Sequence, residues 1–151
     1  MLRIALTSPY DFARPGGVNE HVWHLAQHLR RRGHSVDIIA PCSCQTLELE
    51  GLIKVNSKIF SIPFSGAVAN ITLSPAALQQ VKQILQTHQY DIIHVHEPMA
   101  PFLSLAVLYY SRSLNVATFH QYRTIHPIYE CLGPIIPYFI NTTLHRVGRG
   151  R

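Results

Sequence analysis

The sequence predicts an α/β domain on a doubly wound parallel sheet. Two observations carry that expectation. Short apolar runs alternate with amphipathic helical segments in strand–helix order along the chain. A polar or glycine-containing cluster also follows each strand-like run, where such sheets place their ligands: 8–17, 63–70, 97–100 and 120–124.

The first strand is expected over Leu2 to Thr7, closed by Ser8-Pro9. A loop then leads to Gly16-Gly17, and Val18, Val22, Leu25 and Leu29 recur at helical spacing up to Gly33. Arg30, Arg31 and Arg32 fall in the last turn, where cations complement the helix dipole. Ser35 to Ala40 reads as the second strand, ended by Pro41. Residues 42–58 read as irregular and Ile59 to Pro63 as a short strand. Ser74-Pro75 opens a helix with a hydroxyl cap and proline at the first helical position, and its apolar face continues through Leu78, Val81, Ile84 and Leu85. Asp91 to His96 is the third core strand, Pro98 to Ser113 a buried helix, and Val116 to Phe119 the fourth core strand. Ile128 to Leu144 is apolar apart from Pro134 and Pro137.

Composition narrows the class. Of 151 residues, 47% are hydrophobic and 14% charged, which excludes a disordered chain. No apolar run reaches the ~20 residues that cross a bilayer. The N-terminal run is too short for a signal-peptide core, so a cytoplasmic protein is expected. Three cysteines form no closed disulfide framework, and Cys42-x-Cys44 is too tight for zinc spacing. A net charge of +5 points to acidic partners. Phosphates, nucleotides and an anionic membrane surface rank ahead of nucleic acid, for which no binding module is present.

Gly16-Gly17 after the first strand suits a phosphate at the helix's free amides, or equally a tight turn. It is not the dinucleotide fingerprint, and neither a P-loop nor G-x-S-x-G occurs, which removes P-loop NTPases and serine hydrolases. His94-x-His96-Glu97 has two imidazoles on one strand face but no third ligand nearby in sequence, so strand-end hydrogen bonding is expected rather than a metal. His21, His24 and His28 share a helix face with Glu20, Gln27 and Arg31, which reads as solvated. His120 ends the fourth core strand at the ligand-binding rim, as a satisfied strand-end histidine or as a hydrogen-bonding group for a ligand.

Taken in order, Pro9-Tyr10, Pro15-Gly16-Gly17-Val18 with His21, Arg32-Gly33-His34-x-Val36, Asp91-Ile92-Ile93-His94-Val95-His96-Glu97-Pro98 and Ala117-Thr118-Phe119-His120 form a series. It resembles the N-terminal, Rossmann-like half of the retaining GT-B glycosyltransferases of family 4, nearest within them to the phosphatidylinositol mannosyltransferases. The similarity runs over about Leu2 to Arg123. The resemblance implies transfer of a hexose from a nucleotide-diphosphate sugar to a lipid or glycan hydroxyl, with no metal. Gly16 and Gly17 would meet the donor's diphosphate, and His120 the transferred sugar. Tyr10, Asn19, Phe64, Ser65, Asn70, Gln121 and Arg123 would line the acceptor side. The sequence departs from the inositol-lipid enzymes at Asn19, Phe64, Ser65, Asn70 and Ile125, the positions that hold inositol phosphate there. Residues 1–151 thus read as the acceptor-side domain with the nucleotide-sugar domain absent, poorly active alone and peripheral at the inner membrane face. A non-catalytic binding module and a membrane-surface adaptor are the rival readings; a nicotinamide-linked oxidoreductase lacks its fingerprint.

Overall fold

A computed structural model of the chain describes residues 1–64 and 67–120. Ser65, Gln121, Arg123, the apolar stretch from Ile128 to Leu144 and the C-terminal arginines lie outside the described residues.

The chain runs β1 (Arg3–Thr7), α1 (Gly17–Arg31), β2 (Ser35–Pro41), β3 (Leu52–Val55), β4 (Ile59–Phe64), β5 (Ala67–Thr72), α2 (Pro75–Thr87), β6 (Ile92–His96), α3 (Leu103–Tyr110) and β7 (Leu114–Thr118). Among the described residues, five strands form a parallel sheet in the order β3-β2-β1-β6-β7. The order reverses beside β1, and the carboxyl ends of β1 and β6 flank that switch point, where ligands bind in open α/β sheets.

Alternation along the strands divides the core. Ile4, Leu6, Val36, Ile38 and Ala40 pack with Val22 and Ala26 of α1 on one face of the sheet. Ala5, Ile39, Ile93 and Val95 pack with Val81 of α2 and with Leu103 and Val107 of α3 on the other. Successive residues of a strand point to opposite faces, so Ile92, His94 and His96 project toward the α1 layer. Ile92 indeed packs with the α1 cluster.

Two strands, β3 and β5, are absent from the sequence reading. Leu52–Val55 was expected to be irregular, yet it pairs with β2, Ile38 opposite Leu52. Four residues are too few for periodicity to show, and the pairing comes from the neighbouring strand. Ile59–Phe64 forms a strand as expected, and Ala67–Thr72 pairs with it in a separate antiparallel hairpin. The hairpin docks on the β1–α1 loop through a bridge between Tyr10 and Ile71 and the bond from Asp11 N–H to the Asn70 carbonyl, 2.8 Å. α3 is shorter than expected, because Pro98 and Pro101 precede it and Phe102 at its start has a positive φ of 64°. β7 is an edge among the described residues, with Leu114 and Val116 exposed on one face.

The start and stop signals act as their chemistry suggests. Ser74 caps α2, its Oγ accepting from the Ala76 N–H. At the end of α1, Arg30 goes beyond dipole complementarity. Its Nη2 donates to the carbonyls of Val36, 2.7 Å, and Glu50, 2.9 Å, stapling the helix to the turn before β3. Cys42 and Cys44 are free thiols.

Gly51 sits in that turn at φ 68°, and a Cβ there would meet the Arg30 guanidinium and lie 2.7 Å from the Val36 carbonyl oxygen. Gly33 also has positive φ, 85°, but open space around it. Left-handed backbone alone costs a non-glycine residue about 1–3 kcal/mol. Gly51→Ala is therefore expected to destabilise the chain more than Gly33→Ala does, read as the shift in urea midpoint. Equal shifts would show that the Arg30 staple yields freely.

Candidate functional site

The loop from Ser8 to Gly16 connects the buried end of β1 to the first turn of α1, and two buried side chains shape it. Asn19 accepts from Ser8 Oγ, 2.7 Å, and donates to the carbonyls of Asp11, 2.9 Å, and Arg14, 3.1 Å. Asp11 accepts from the Ser43 N–H, 2.8 Å, and from Ser43 Oγ, 2.7 Å, tying the loop to the chain just beyond β2. Sequence reasoning passed over Asp11, and a polar residue three after Ser8 gives no periodic signal.

This loop and the docked hairpin enclose a cleft of about 200 Å³ that Tyr10, Arg14, Gly16, Gly17, Asn19 and Asn70 line, among others. Five of the residues singled out in the sequence thus meet. Asn19 has a double position, because both its amide hydrogens are committed to loop carbonyls even though it borders the cleft. Phe64 ends β4 in the docked hairpin.

Gly16 and Gly17 are not glycines by demand of the backbone. Gly16 caps α1 with extended φ and ψ of −178° and 145°, and neither glycine has a positive φ. A Cβ on either would meet nothing within 4 Å. The tight-turn explanation therefore falls away. What remains is open space beside the first free amides of a 15-residue helix, the positive end of its dipole.

His21 lies four residues beyond Gly17, on the same helix face and about 6 Å along the axis. It was expected on the solvated face, and although exposed, its ring packs edge-on against His96 at 5.4 Å and His120 at 5.1 Å. The reason is the sheet face: β6 directs His94 and His96 toward the α1 layer, and β7, pairing His96 with Thr118, delivers His120 just past its end. No third ligand stands near His94-x-His96 in sequence, but the fold brings the ligand nitrogens of His21, His96 and His120 within 4.8 Å of one another.

The hydrogen bonds orient His120. Its Nε2 lies 2.8 Å from His96 Nδ1, the two rings sharing one proton, and its backbone N–H donates to Glu97 Oε1, 2.7 Å. Glu97 is buried and holds a positive φ of 50°, a conformation uncommon outside glycine that tends to gather at functional sites. Its N–H donates to the Thr118 carbonyl, 2.9 Å, which binds the two strand ends together. His94 lies 2.7 Å from Thr118 Oγ1 and stacks on His96 at 4.3 Å.

Burial first, and the neighbouring imidazoles second, disfavour charge on these rings. His96 is pushed down to about 3, and His94 and His120 also fall below the ordinary histidine range. The neutral form is favoured in all three. With Nε2 of His120 engaged by His96, Nδ1 is the ring atom left for a ligand among the described residues. The site therefore combines a helix start with free amides and open space beside them, an oriented imidazole whose burial disfavours charge, and a small cleft bordered by the hairpin.

Residues 15–147 match the family described as Glycosyltransferase Family 4. A phosphatidyl-myo-inositol mannosyltransferase of Mycolicibacterium smegmatis is 39% identical over 123 residues, covering 82% of this chain and 32% of that protein. The GPI3 subunit of a phosphatidylinositol N-acetylglucosaminyltransferase from Saccharomyces cerevisiae is 28% identical over 109 residues, 70% of this chain and 24% of the subunit. Among solved structures, the catalytic domain of starch synthase IV from Arabidopsis thaliana aligns with a TM-score of 0.46 at 15% identity, over 80% of this chain and 34% of that one. The chain spans about a third of the length of the mannosyltransferase relative.

Proposed function

The chain belongs to glycosyltransferase family 4, and on that premise we propose that it is the acceptor-side part of a retaining hexosyltransferase. The donor is a nucleotide-diphosphate sugar and the acceptor a lipid or glycan hydroxyl; no cofactor and no metal enter the transfer as proposed. The observation that carries this reading is the line along one face of α1. Free amides and open space at Gly17 stand one helical turn from His21, whose ring touches that of His120.

Each group has a chemical role. The amides beside Gly17 stabilise the leaving diphosphate as its negative charge grows. His120, neutral and held by His96 and Glu97, hydrogen-bonds the transferred sugar through Nδ1 where positive charge develops. Tyr10 and Asn70 border the acceptor cleft, while Asn19 shapes it from behind through the loop. The departures from the inositol-lipid enzymes at Asn19 and Asn70 fit a different acceptor headgroup. We place the protein peripherally on an anionic membrane surface, with exposed Arg31 and Arg32 as contacts; Arg30 is occupied by its carbonyl bonds. The chain alone should transfer poorly, because positioning donor against acceptor is worth about 7–11 kcal/mol of barrier.

The test is a chimera in which this chain replaces the matched third of the M. smegmatis mannosyltransferase. Transfer from nucleotide-sugars to lipid acceptors by the chimera, exceeding that of the 151-residue chain, supports the reading. A folded chimera inert with every hexose donor and every lipid or glycan acceptor tried overturns it.

Glu97 is a positioning residue for His120 in this scheme. In the chimera, Glu97→Ala is expected to lower kcat by about 10²-fold, the order of loss from misplacing a reacting group by an ångström, with KM little changed. Glu97→Gln retains an oxygen acceptor for the His120 N–H and should recover most of the rate. If Gln and Ala behave alike, Glu97 acts through its charge and not through this bond.

A further inference from the structure

We propose that His21, His96 and His120 form a binding site for a borderline-soft divalent transition ion of the zinc class. Three imidazoles from three separate elements converge so that one nitrogen of each lies within 4.8 Å of the others. Zinc–nitrogen bonds of about 2.0–2.1 Å separate two tetrahedral ligand atoms by about 3.3 Å. The 2.8 Å pair of His96 and His120 would thus open by about half an ångström, and His21 would swing inward. Because His21 is on an exposed helix face, its side chain is free to make that adjustment.

His96 is fully buried, and among the described residues its polar contact runs through Nδ1, toward His120. Its Nδ1 shares a single proton with His120, and an ion can take that proton's place. His94 stacks on His96 and is itself anchored to Thr118 Oγ1, which holds the His96 ring in place. Three imidazole ligands with the fourth position reached from the exposed His21 side match the coordination of an open zinc site. An all-nitrogen set does not suit Mg²⁺ or Ca²⁺, which take oxygen ligands.

Titrating the 151-residue chain with Zn²⁺ against a chromophoric chelator at neutral pH is expected to show one site per chain. His21→Ala should weaken it by more than the ~10–100-fold typical of losing a supporting partner. His120→Gln should do the same, while His24→Ala, three residues from His21 and outside the cluster, should leave affinity unchanged. Co²⁺ bound in place of Zn²⁺ should show visible d–d bands with no thiolate charge-transfer band, which separates this site from Cys42 and Cys44. Absence of stoichiometric binding, an affinity indifferent to His21, or a thiolate band overturns the assignment. Ion binding is read without any sugar transfer, so failure here leaves the transferase reading intact, and the converse also holds.

Discussion

Replacing His120 by alanine in the chimera is expected to lower sugar transfer by about 10²–10³-fold while leaving the fold and donor affinity in place. That magnitude is typical of removing one preorganised hydrogen-bonding group from a site where charge develops. The ring is half-buried and lies at the end of β7 rather than in the core, so its loss opens little cavity. Its backbone N–H, bonded to Glu97, survives the substitution. The effect should therefore fall on kcat, with urea midpoint and nucleotide-sugar affinity close to the parent's. Undiminished transfer would remove His120 from the chemistry. A collapsed urea midpoint would instead assign it to the structural packing of the histidine cluster.

Gly17→Val is expected to do the opposite. Nothing lies within 4 Å of a Cβ at this position, and its φ is not positive, so the chain should accept valine with stability changed by about 0.5 kcal/mol or less. The isopropyl group would occupy the space through which a diphosphate reaches the first amides of α1. Losing one or two charge-assisted hydrogen bonds at about 1.5–3 kcal/mol each lowers donor affinity by about 10²-fold or more. Calorimetric titration of the chimera with the nucleotide-sugar measures it. Gly17→Ala, with a single methyl, should fall between. Unaltered affinity in the valine variant would mean that the diphosphate does not approach this face of the helix. Together the two substitutions separate binding from transfer, since one removes the donor's place and the other the group acting on its sugar.

Much of this site could be read from the residues. Apolar runs from Leu2, Ser35, Asp91 and Val116, with helical spacing between them, are enough for a parallel sheet, because a strand covered on both faces must be apolar throughout. Gly16-Gly17 after the first run and His120 after the last then fall at one sheet edge by topology alone. The hairpin was legible only by half. Ile59 to Pro63 looks like a strand by composition, but its partner Ala67–Thr72 carries small and polar residues whose extended form depends on the pairing itself. β3 shares that dependence, being only four residues long and built along β2.

Asn19 and His21 show where reading the sequence stops. Asn19 resembles an acceptor contact by position, yet its amide hydrogens close the loop around Asp11 and Arg14. His21 shares its helical face with Glu20 and Arg31 and so reads as solvated, but it meets His96 and His120. Period-two alternation along β6 is a local property and was decided by the sequence: Ile93 and Val95 to one side, His94 and His96 to the other. Which helix covers which side is not local. It follows from the crossover of the chain over the sheet and from the packing of Val22 and Ala26 against Ile4 and Leu6. The sequence by itself determined the α/β class, the strand-end position of His120 and the glycines at the start of α1. Only the tertiary structure decided that three histidines distant in sequence share one point, because that requires a particular helix to lie on a particular face of the sheet.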